Sequence, residues 1–268
     1  MVTTKLEVLV EFGQQNKDLV IKEAIRKLHS QNGVENVEYK NGAFMIETTR
    51  PSSEILDLVS KNTGSRCVLQ GFGDKESAVS MISDKPGLIQ GIVRYQQGKD
   101  NLVIDGTVDG LEPGDYDLNL HENGDLSEGC NSIGQVYNTS KFQINTKKCK
   151  LGELGTIKAN EEGRANFRII DQDLRVSEII GRSVAISEMS SKPKDSWTRI
   201  ACGIIARSAG IFQNPKRICA CDGVVVWDER ERPLAGKGRR NNGENDDCKN
   251  NKVKSEGGEK RCCCNNKL

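Results

Sequence analysis

The sequence predicts two folded domains of different classes, a mixed α+β domain followed by an all-β domain, and then a flexible tail. Three observations lead to this prediction. Apolar residues alternate and then recur at helical spacing within residues 1–72, whereas helical periodicity nearly disappears between residues 78 and 209. Beyond Arg232 the chain is dominated by Asn, Lys, Glu and Gly, which leaves little to bury. A chain of 268 residues with 35% hydrophobic residues is long enough for two such cores.

The residue pattern of the first domain predicts a strand, a helix, two strands, a second helix and a last strand. The alternating residues of the first strand and the helical repeat that follows are Leu6, Val8, Val10 and Phe12, then Ile21, Ala24, Ile25 and Leu28. Two strands at 34–39 and 44–48 flank the turn Asn41-Gly42, and the run Pro51-Ser52-Ser53-Glu54 is expected to cap a second helix. A last strand covers 67–70. This βαββαβ order predicts a ferredoxin-like sandwich over residues 1–72, a fold that hosts many functions.

The second domain reads as short strands separated by turn residues. A linker at 73–77 leads into six strand candidates, at 78–82, 89–96, 102–108, 116–122, 165–170 and 184–189. Such a pattern is typical of a β-sandwich or a Greek-key barrel, here over residues 78–209. A cysteine-containing segment follows at 210–240, and residues 241–268 are expected to be disordered.

Charge, hydropathy and residue types exclude several classes of function. Lys plus Arg number 39 against 38 Asp plus Glu, so the basic excess of a nucleic-acid-binding protein is missing. No run approaches the ~20 apolar residues of a membrane span, and the first residues lack the basic and apolar segments of a secretory leader. We therefore expect a cytoplasmic protein with no membrane span and no nucleic-acid partner. With only His29 and His121, a metal site of several imidazoles is excluded.

Five motifs of the second domain, in consistent order, resemble Cu,Zn superoxide dismutase. They are GLEPG at 110–114 with LNLH at 118–121, GDLSEGCNS at 124–132, GELG at 152–155, IGRS at 180–183 and RIACGII at 199–205. The resemblance implies an eight-stranded Greek-key barrel with an intrasubunit disulfide between Cys130 and Cys202.

The metal ligands of a dismutase are largely missing from these motifs. Residues Asn119, Val136 and Ser187 stand where the resemblance implies copper-binding histidines, and only His121 remains. One imidazole cannot hold a cycling copper ion, so dismutase activity is not expected. Among the zinc positions Glu153 alone offers a ligand, since Lys150 replaces a histidine, and we expect no zinc site in the barrel. Arg199, which the family uses to steer superoxide, is expected here to donate hydrogen bonds to a loop.

Taken with the first domain and the later cysteines, the sequence is similar to the copper chaperones for superoxide dismutase. The matching stretches are 196–210, 214–223 with Cys219-Ala220-Cys221, and RPLAGKGR at 232–239. Thiolates at i and i+2 of an extended segment point the same way, and soft sulfur selects Cu(I), although an isolated C-x-C arises easily by chance in a chain with ten cysteines. The resemblance implies that Cys219 and Cys221 carry Cu(I), or a disulfide, to immature dismutase and promote the partner's own disulfide by thiol exchange.

The resemblance also implies a docking surface, because dismutase subunits pair through one isologous patch that a chaperone can match. It implies a heterodimer with dismutase, or a homodimer of the chaperone through the same surface. The residues at the matching positions are Asn123, Gly124, Ile180, Gly181, Ile204 and Ile205. For the isoleucines, packing in the core or at a sheet edge is the alternative interpretation.

The first domain departs from the family pattern, which holds copper with Met-x-Cys-x-x-Cys. The two cysteine positions hold Asp18 and Ile21, so Asp18 is interpreted as a helix N-cap and Cys67 as a buried core residue. Cys149 is given no role. The tail contains four more cysteines, Cys248 and Cys262-Cys263-Cys264. They either scavenge Cu(I) or belong to a variable tail without a metal role, and we favour the second interpretation.

Two alternatives to copper delivery remain open. The missing thiols of the first domain favour a structural partner that binds dismutase subunits without delivering metal. A protein with its own dismutase activity would instead require copper bound at His121.

Overall fold

The first domain of the computed structural model is a four-stranded antiparallel sheet with two helices, and the described residues are 2–12, 17–73, 76–139, 148–189 and 198–213. Its elements confirm the βαββαβ prediction. The spatial order of the strands is β2-β3-β1-β4. In chain order the elements are β1 (Thr4–Glu11), α1 (Lys17–His29), β2 (Val34–Lys40), β3 (Ala43–Thr48), α2 (Ser52–Thr63) and β4 (Arg66–Phe72).

Local chemistry explains where these elements turn and end. Asn41 and Gly42 both have positive φ, 54° and 86°, which is the backbone of a type I′ turn and fits the two-residue connection between β2 and β3. The alternation in β1 buries Leu6 and Val8 under the helices. Asp18 lies in the first turn of α1, which begins at Lys17, so the prediction that Asp18 is the N-cap was wrong. A carboxylate inside the first turn still interacts favourably with the helix dipole.

The second domain is a closed antiparallel barrel of eight strands, which decides between sandwich and barrel. Around the barrel the order is β10-β7-β6-β5-β12-β11-β8-β9, with crossover connections of the Greek-key kind. A four-residue helix, α3 (Val176–Ile179), lies between β10 and β11. The strands are β5 (Ser77–Ser83), β6 (Gln90–Gln97), β7 (Leu102–Asp109), β8 (Gly114–His121), β9 (Glu153–Ala159), β10 (Arg164–Asp171), β11 (Ser183–Glu188) and β12 (Arg199–Arg207).

The two domains contact each other through α2 and β7. The backbone N–H of Ser52 donates to a carboxylate oxygen of Asp105 at 2.9 Å, and the Ser52 hydroxyl donates to the other oxygen. The Ser52 side chain therefore binds the barrel and does not cap α2, whose N-cap is Pro51 without a side-chain hydrogen bond. That part of the capping prediction was wrong, because the carboxylate of the other domain competes for the hydroxyl.

A barrel arginine adds a second contact across the same junction. The guanidinium of Arg168 donates to the Thr4 hydroxyl at 2.7 Å and to the Val2 carbonyl at 3.2 Å. It also lies 3.9 Å from the Asp105 carboxylate, with both side chains buried. Because buried ion pairs need fixed geometry to offset desolvation, these contacts hold the first domain in one orientation on the barrel.

The predicted linker and the predicted C-terminal segments can also be compared with the structure. The predicted linker at 73–77 is shorter than expected, because Ser77 already belongs to β5. Residues 74–75 and 214–268 lie outside the described part, and so do most of the predicted cysteine-containing segment and the whole predicted tail. Within the described part, no helix has the length and apolar character needed to cross a membrane.

Candidate functional site

A disulfide links the loop after β8 to the last barrel strand. Cys130, in a single 3₁₀ turn at Gly129–Asn131, is joined to Cys202 of β12, with their Cα atoms 5.8 Å apart. This is the pair that the resemblance implies. Ile133 and Ala185 pack around the bond in a small apolar cluster. The crosslink closes a separation of 72 residues, for which the chain-entropy model gives about 4 kcal/mol of stabilisation.

Arg199 holds the same loop by hydrogen bonds. Its guanidinium donates to the carbonyl oxygens of Cys130 at 2.9 Å and Gly134 at 2.7 Å. The prediction that this arginine serves the loop is therefore confirmed. Because both acceptors are backbone atoms of one loop, Arg199 fixes the loop's shape around the disulfide.

His121, the one histidine of the barrel, is buried and neutral. Its side chain is 2% exposed, and Nδ1 lies 3.2 Å from the Gly134 carbonyl oxygen. Since a carbonyl only accepts, Nδ1 holds the proton, and Nε2 is buried with no hydrogen-bond partner among the described residues. Burial, followed by the nearby positive charge of Arg199, lowers the pKa of His121 to about 4.

The other positions of the dismutase copper site give no ligands beside this imidazole. Val136 faces His121 through an isolated β-bridge, and Asn119 of β8 lies opposite Ala185 of β11. Ser187 is a buried residue near the end of β11. In the part of the chain that the structure describes, no three His, Cys, Asp or Glu side chains come together as a metal cluster.

Two carboxylates in this part of the barrel, Glu153 and Asp171, are engaged by groups of the protein itself. Glu153 accepts a hydrogen bond from the backbone N–H of Cys149 at 2.9 Å. Asp171 is buried in an ion pair with Lys148 and accepts the N–H groups of Asp173 and Leu174 at 2.8 and 3.0 Å. An ammonium group occupies the surroundings of this carboxylate, so a cation would meet repulsion there. Cys149 is exposed and free.

Three residues of the predicted docking surface come together beside the disulfide loop. A Cβ on Gly124 would lie 2.2 Å from the Gly181 carbonyl oxygen and 3.3 Å from Cγ2 of Ile204. Only glycine allows this close approach of the two loops. Asn123 is exposed beside them, and its carbonyl accepts the Ser183 hydroxyl at 2.6 Å.

Arg182 fixes the two loops against each other. Its guanidinium donates to the carbonyl oxygens of Glu178 at 2.7 Å and Glu122 at 2.9 Å. It also lies 3.7 Å above the Tyr137 ring, a cation–π distance. The surface around Gly124 and Gly181 is thus built on hydrogen bonds that do not depend on a bound partner.

The isoleucines of the predicted surface differ in burial. Ile204 is 39% exposed, Ile180 is half-buried, and Ile205 is 1% exposed within the barrel core. The prediction that Ile205 contacts a partner was wrong for its side chain, because alternation along β12 points it inward. Its backbone instead bonds Gly181 and Arg182.

Met81 is a member of this surface that the sequence analysis missed. Ser80 pairs with Ile205 and Ser83 with Cys202, so the register puts Met81 of β5 directly opposite Ile204. Met81 is 73% exposed. A strand over 78–82 with Ala78 and Ile82 inside predicts that Met81 points outward, but not that it lies beside Ile204. We call the surface formed by these residues the docking patch: Met81, Asn123, Gly124, Ile180, Gly181 and Ile204.

Among the described residues, the first domain has no thiol at the positions where the resemblance implies copper-binding cysteines. Asp18 is exposed on α1, and Ile21 is buried in the core. The ammonium of Lys17 lies 5.6 Å from the centroid of the Phe12 ring and 5.8 Å from that of Tyr39. A positive charge therefore stands at the start of this helix, where a bound copper ion would be repelled.

The cysteines other than Cys130 and Cys202 are a core residue, an exposed one and those that lie outside the described residues. Cys67 is buried, and its Sγ contacts the Leu56 carbonyl oxygen at 3.1 Å, so its prediction as a core residue is confirmed. The predicted carriers Cys219 and Cys221 lie outside the described residues. The same is true of Cys248 and Cys262-Cys263-Cys264.

The barrel and its disulfide define a protein of the dismutase-barrel class, in which Asn119, Val136 and Ser187 stand at copper positions. A family model described as copper/zinc superoxide dismutase (SODC) matches residues 89–205. The copper chaperone for superoxide dismutase of Homo sapiens is 41% identical over 86% of this chain and 92% of its own length. That of Rattus norvegicus is 41% identical over 81% and 87%, and the chloroplastic one of Oryza sativa subsp. japonica is 33% identical over 83% and 71%.

The chain belongs to the family of copper chaperones for superoxide dismutase. These relatives are named as chaperones and not as dismutases, which agrees with the prediction that this chain is not itself an active dismutase.

Proposed function

We propose that the protein is a copper chaperone that docks onto immature Cu,Zn superoxide dismutase, delivers Cu(I) and promotes the partner's disulfide through Cys219 and Cys221. The observation that carries this proposal is a dismutase-type barrel that keeps the loop disulfide while the copper positions hold Asn119, Val136 and Ser187. A barrel with this frame and no ligand cluster among its described residues suits recognition of a dismutase better than its chemistry.

Docking is assigned to the docking patch, and its occupant is a dismutase subunit. Met81 and Ile204 form an exposed apolar pair, and Gly124 lets the Gly181 carbonyl approach closely beside it. A partner with the same barrel presents the same patch, so the pair is quasi-symmetric, and two chaperone chains can pair in the same way when dismutase is absent. The heterodimer is the productive complex.

Thiol exchange explains how one cysteine pair serves the partner's disulfide. When Cys219 and Cys221 form a disulfide, a thiolate of the partner attacks one sulfur, and a mixed disulfide forms as the bond between Cys219 and Cys221 breaks. The partner's second thiolate then attacks the mixed disulfide. The partner dithiol is oxidised, the chaperone pair is reduced to two thiols, and two electrons and two protons move between them. In the reduced state the same two thiolates suit Cu(I) as cargo.

We assign each proposed role to a segment with the boundaries predicted from the sequence. Residues 1–72 form the first domain, 78–209 the docking barrel after the linker at 73–77, 210–240 the transfer segment and 241–268 the tail. A cytoplasmic location is part of the proposal, because a reducing compartment keeps Cys219 and Cys221 available as thiols.

Replacing the carriers and replacing the patch should separate activation from binding. We expect Cys219→Ser and Cys221→Ser to abolish activation of metal-free, disulfide-reduced dismutase and to leave complex formation unchanged. Ile204→Glu should weaken the complex at least tenfold, because a charge would enter an apolar contact. Activity and binding are measured on the same preparations, with exposed Cys149→Ser as the matched control. Normal activation by either serine variant would contradict the assignment.

A structural partner that binds dismutase without delivering metal is the second candidate. The absence of thiols from the described part of the first domain's helix start, together with the Lys17 ammonium, favours it. Adding Cu(I) and then immature dismutase decides between the two, since complex formation without activity would support the structural role. Dismutase activity of the chaperone itself, with copper at His121, is tested on the copper-saturated chain alone.

A further inference from the structure

The chain that leaves the barrel is held on the sheet of the first domain. After β12 the backbone N–H of Ser208 donates to the Ser77 carbonyl at 3.0 Å, and that of Ile211 donates to the Gly73 carbonyl at 2.9 Å. The N–H of Phe212 then donates to the carboxylate of Glu7 at 2.8 Å. The last described residues thus return to β1, about two hundred positions earlier in the sequence.

Glu7 is an unusual residue for the middle of a strand. Its neighbours Leu6 and Val8 point into the core under the helices, so Glu7 points to the opposite face of the sheet. It is nevertheless only 6% exposed. A carboxylate that accepts a backbone N–H makes a stronger bond than a neutral acceptor, and here that bond is shielded from water.

Gly71 makes room for this contact. Glu7 and Gly71 are cross-strand neighbours of β1 and β4. A Cβ on Gly71 would lie 2.7 Å from Oε2 of Glu7 and 2.7 Å from Cα of Ile211. The backbone of Ile211 therefore crosses the sheet where a side chain is missing, and the first domain presents a fitted seat for residues 211–212.

We propose that Glu7 is a positioning residue for transfer by Cys219 and Cys221, and that the first domain acts as a fixed anchor for the transfer segment. This inference rests on the proposed function. Phe212 precedes Cys219 by seven residues, so the first thiol stays within about 25 Å of the anchor whatever path the chain takes. The anchor itself is fixed to the barrel, and hence to the docking patch, by the contacts of Ser52 and Arg168 with Asp105 and Thr4.

Release of the anchor should lower the local concentration of the thiol pair at the docked partner. Residues 211 and 212 share one seat, so we expect its loss to free the Ile211–Gly73 hydrogen bond as well, and the nearest fixed point then becomes Ser208, eleven residues from Cys219. Effective concentration falls with the −3/2 power of the free length, so an increase from seven to eleven residues predicts a step about twofold slower. Binding of dismutase should not change, because the docking patch lies on other residues.

The test uses the full chain with Glu7→Ala, Glu7→Gln and Gly71→Ala, and with Glu11→Ala on the same strand as the matched control. Two rates are measured: the first-order oxidation of disulfide-reduced dismutase at saturating partner, and the reaction of the oxidised pair with reduced glutathione. Hydrogen exchange at the Phe212 amide reports the anchor independently. We expect Glu7→Ala and Gly71→Ala to speed this exchange and slow the first rate about twofold, with Glu7→Gln restoring most of it, while the glutathione rate stays at the wild-type value.

Each other outcome overturns the proposal. If exchange at Phe212 rises while the first-order rate is unchanged, the anchor exists but does not position the thiols. If the glutathione rate falls in parallel, the variant has altered the thiols themselves and not their position. Failure of the wild-type chain to oxidise dismutase would instead remove the proposed function, and the positioning role with it.

Discussion

His121 stands at a position where the resemblance implies a copper ligand, but its buried imidazole has no other histidine beside it in the barrel. Its Nδ1 proton is donated to the Gly134 carbonyl, while Nε2 is buried with no hydrogen-bond partner among the described residues. Arg199 donates to the same carbonyl and adds a positive charge nearby. Protonation of the ring would bury a second cation, so the histidine functions as a neutral core residue that orders the loop.

This environment predicts a pH dependence of folding. Because the folded-state pKa of His121 is lowered to about 4, the unfolded chain binds a proton between about pH 6.5 and pH 4 that the folded chain does not. The free energy of unfolding should therefore fall as the pH drops through this window, by about 3 kcal/mol from this residue. His121→Gln should remove that part of the slope. Urea unfolding at pH 7 and pH 4 measures it, with His29→Gln on α1 as the comparison. An unchanged slope in His121→Gln would disprove the assignment.

At the scale of residues, sequence reasoning succeeded where the partner is local or the environment is implied by the strand pattern. Cys67 was recognised as a core residue, and Arg199 as a loop donor. It failed for Ser52, because the acceptor that takes the hydroxyl away from the helix end is Asp105, 53 residues further on. Such a partner leaves no trace in the neighbouring sequence.

Among the elements, the junction of α2 and β7 decides how the first domain is held. The Asp105 carboxylate is buried, and burial raises its pKa, while the hydrogen bonds from Ser52 and the charges of Arg94 and Arg168 act against this rise. The group is thus retained as an acceptor for a helix start from the other domain. Loss of this contact exposes the junction and leaves the carboxylate unsatisfied.

Two adjacent serines of α2 provide a matched test of the junction. Ser52 donates to Asp105, whereas the buried hydroxyl of Ser53 has no hydrogen-bond partner among the described residues. We expect Ser52→Ala to lower the free energy of unfolding by about 2 kcal/mol, since it removes a hydrogen bond to a charged group. Ser53→Ala should be close to neutral. Chemical denaturation of both variants in the full chain makes the comparison, and equal effects would contradict it.

Six of the eight barrel strands could be predicted individually, and the two that could not have physical reasons. Strand β9 has an irregular burial pattern and a register shift against β8 between Leu118 and Asn119, so strict alternation is lost. Strand β12 combines Cys202 and Gly203 with the adjacent pair Ile204-Ile205, so its isoleucines do not alternate, and its sequence resembled only a family motif. The resemblance supplied the strand count, and the hydrophobic pattern supplied most of the positions.

For the whole molecule, the docking patch shows the limit of sequence reasoning about sites. Family likeness placed Gly124, Gly181 and Ile204 on one surface, and the structure brings those three together. It could not add Met81, because membership depends on the register between β5 and β12, which closes the barrel between distant parts of the chain. The contact of Ile211 and Phe212 with Glu7 and Gly71 could not be predicted either, because it also joins distant parts of the chain.

The distribution of soft ligands over the whole chain predicts where Cu(I) binds. In the first domain Asp18 is a hard ligand, Ile21 is none, and Cys67 is buried without a second thiol in the described residues around it. The Lys17 ammonium adds repulsion at that end of the domain. Tight Cu(I) binding should therefore depend on Cys219 and Cys221, whose paired thiolates supply two soft donors.

Titration of the full chain with Cu(I) against a competing chelator measures this dependence. We expect the wild type to hold one Cu(I) tightly and the double variant Cys219→Ser/Cys221→Ser to lose it. Cys67→Ala should bind Cu(I) as the wild type does, because the core thiol is not a donor. A further variant replaces Cys248 and Cys262-Cys263-Cys264 by serine to separate the tail from the carriers. If the ion stays bound without Cys219 and Cys221 and leaves only when the tail cysteines are replaced, the tail is the copper site, and the proposed carriers serve thiol exchange alone.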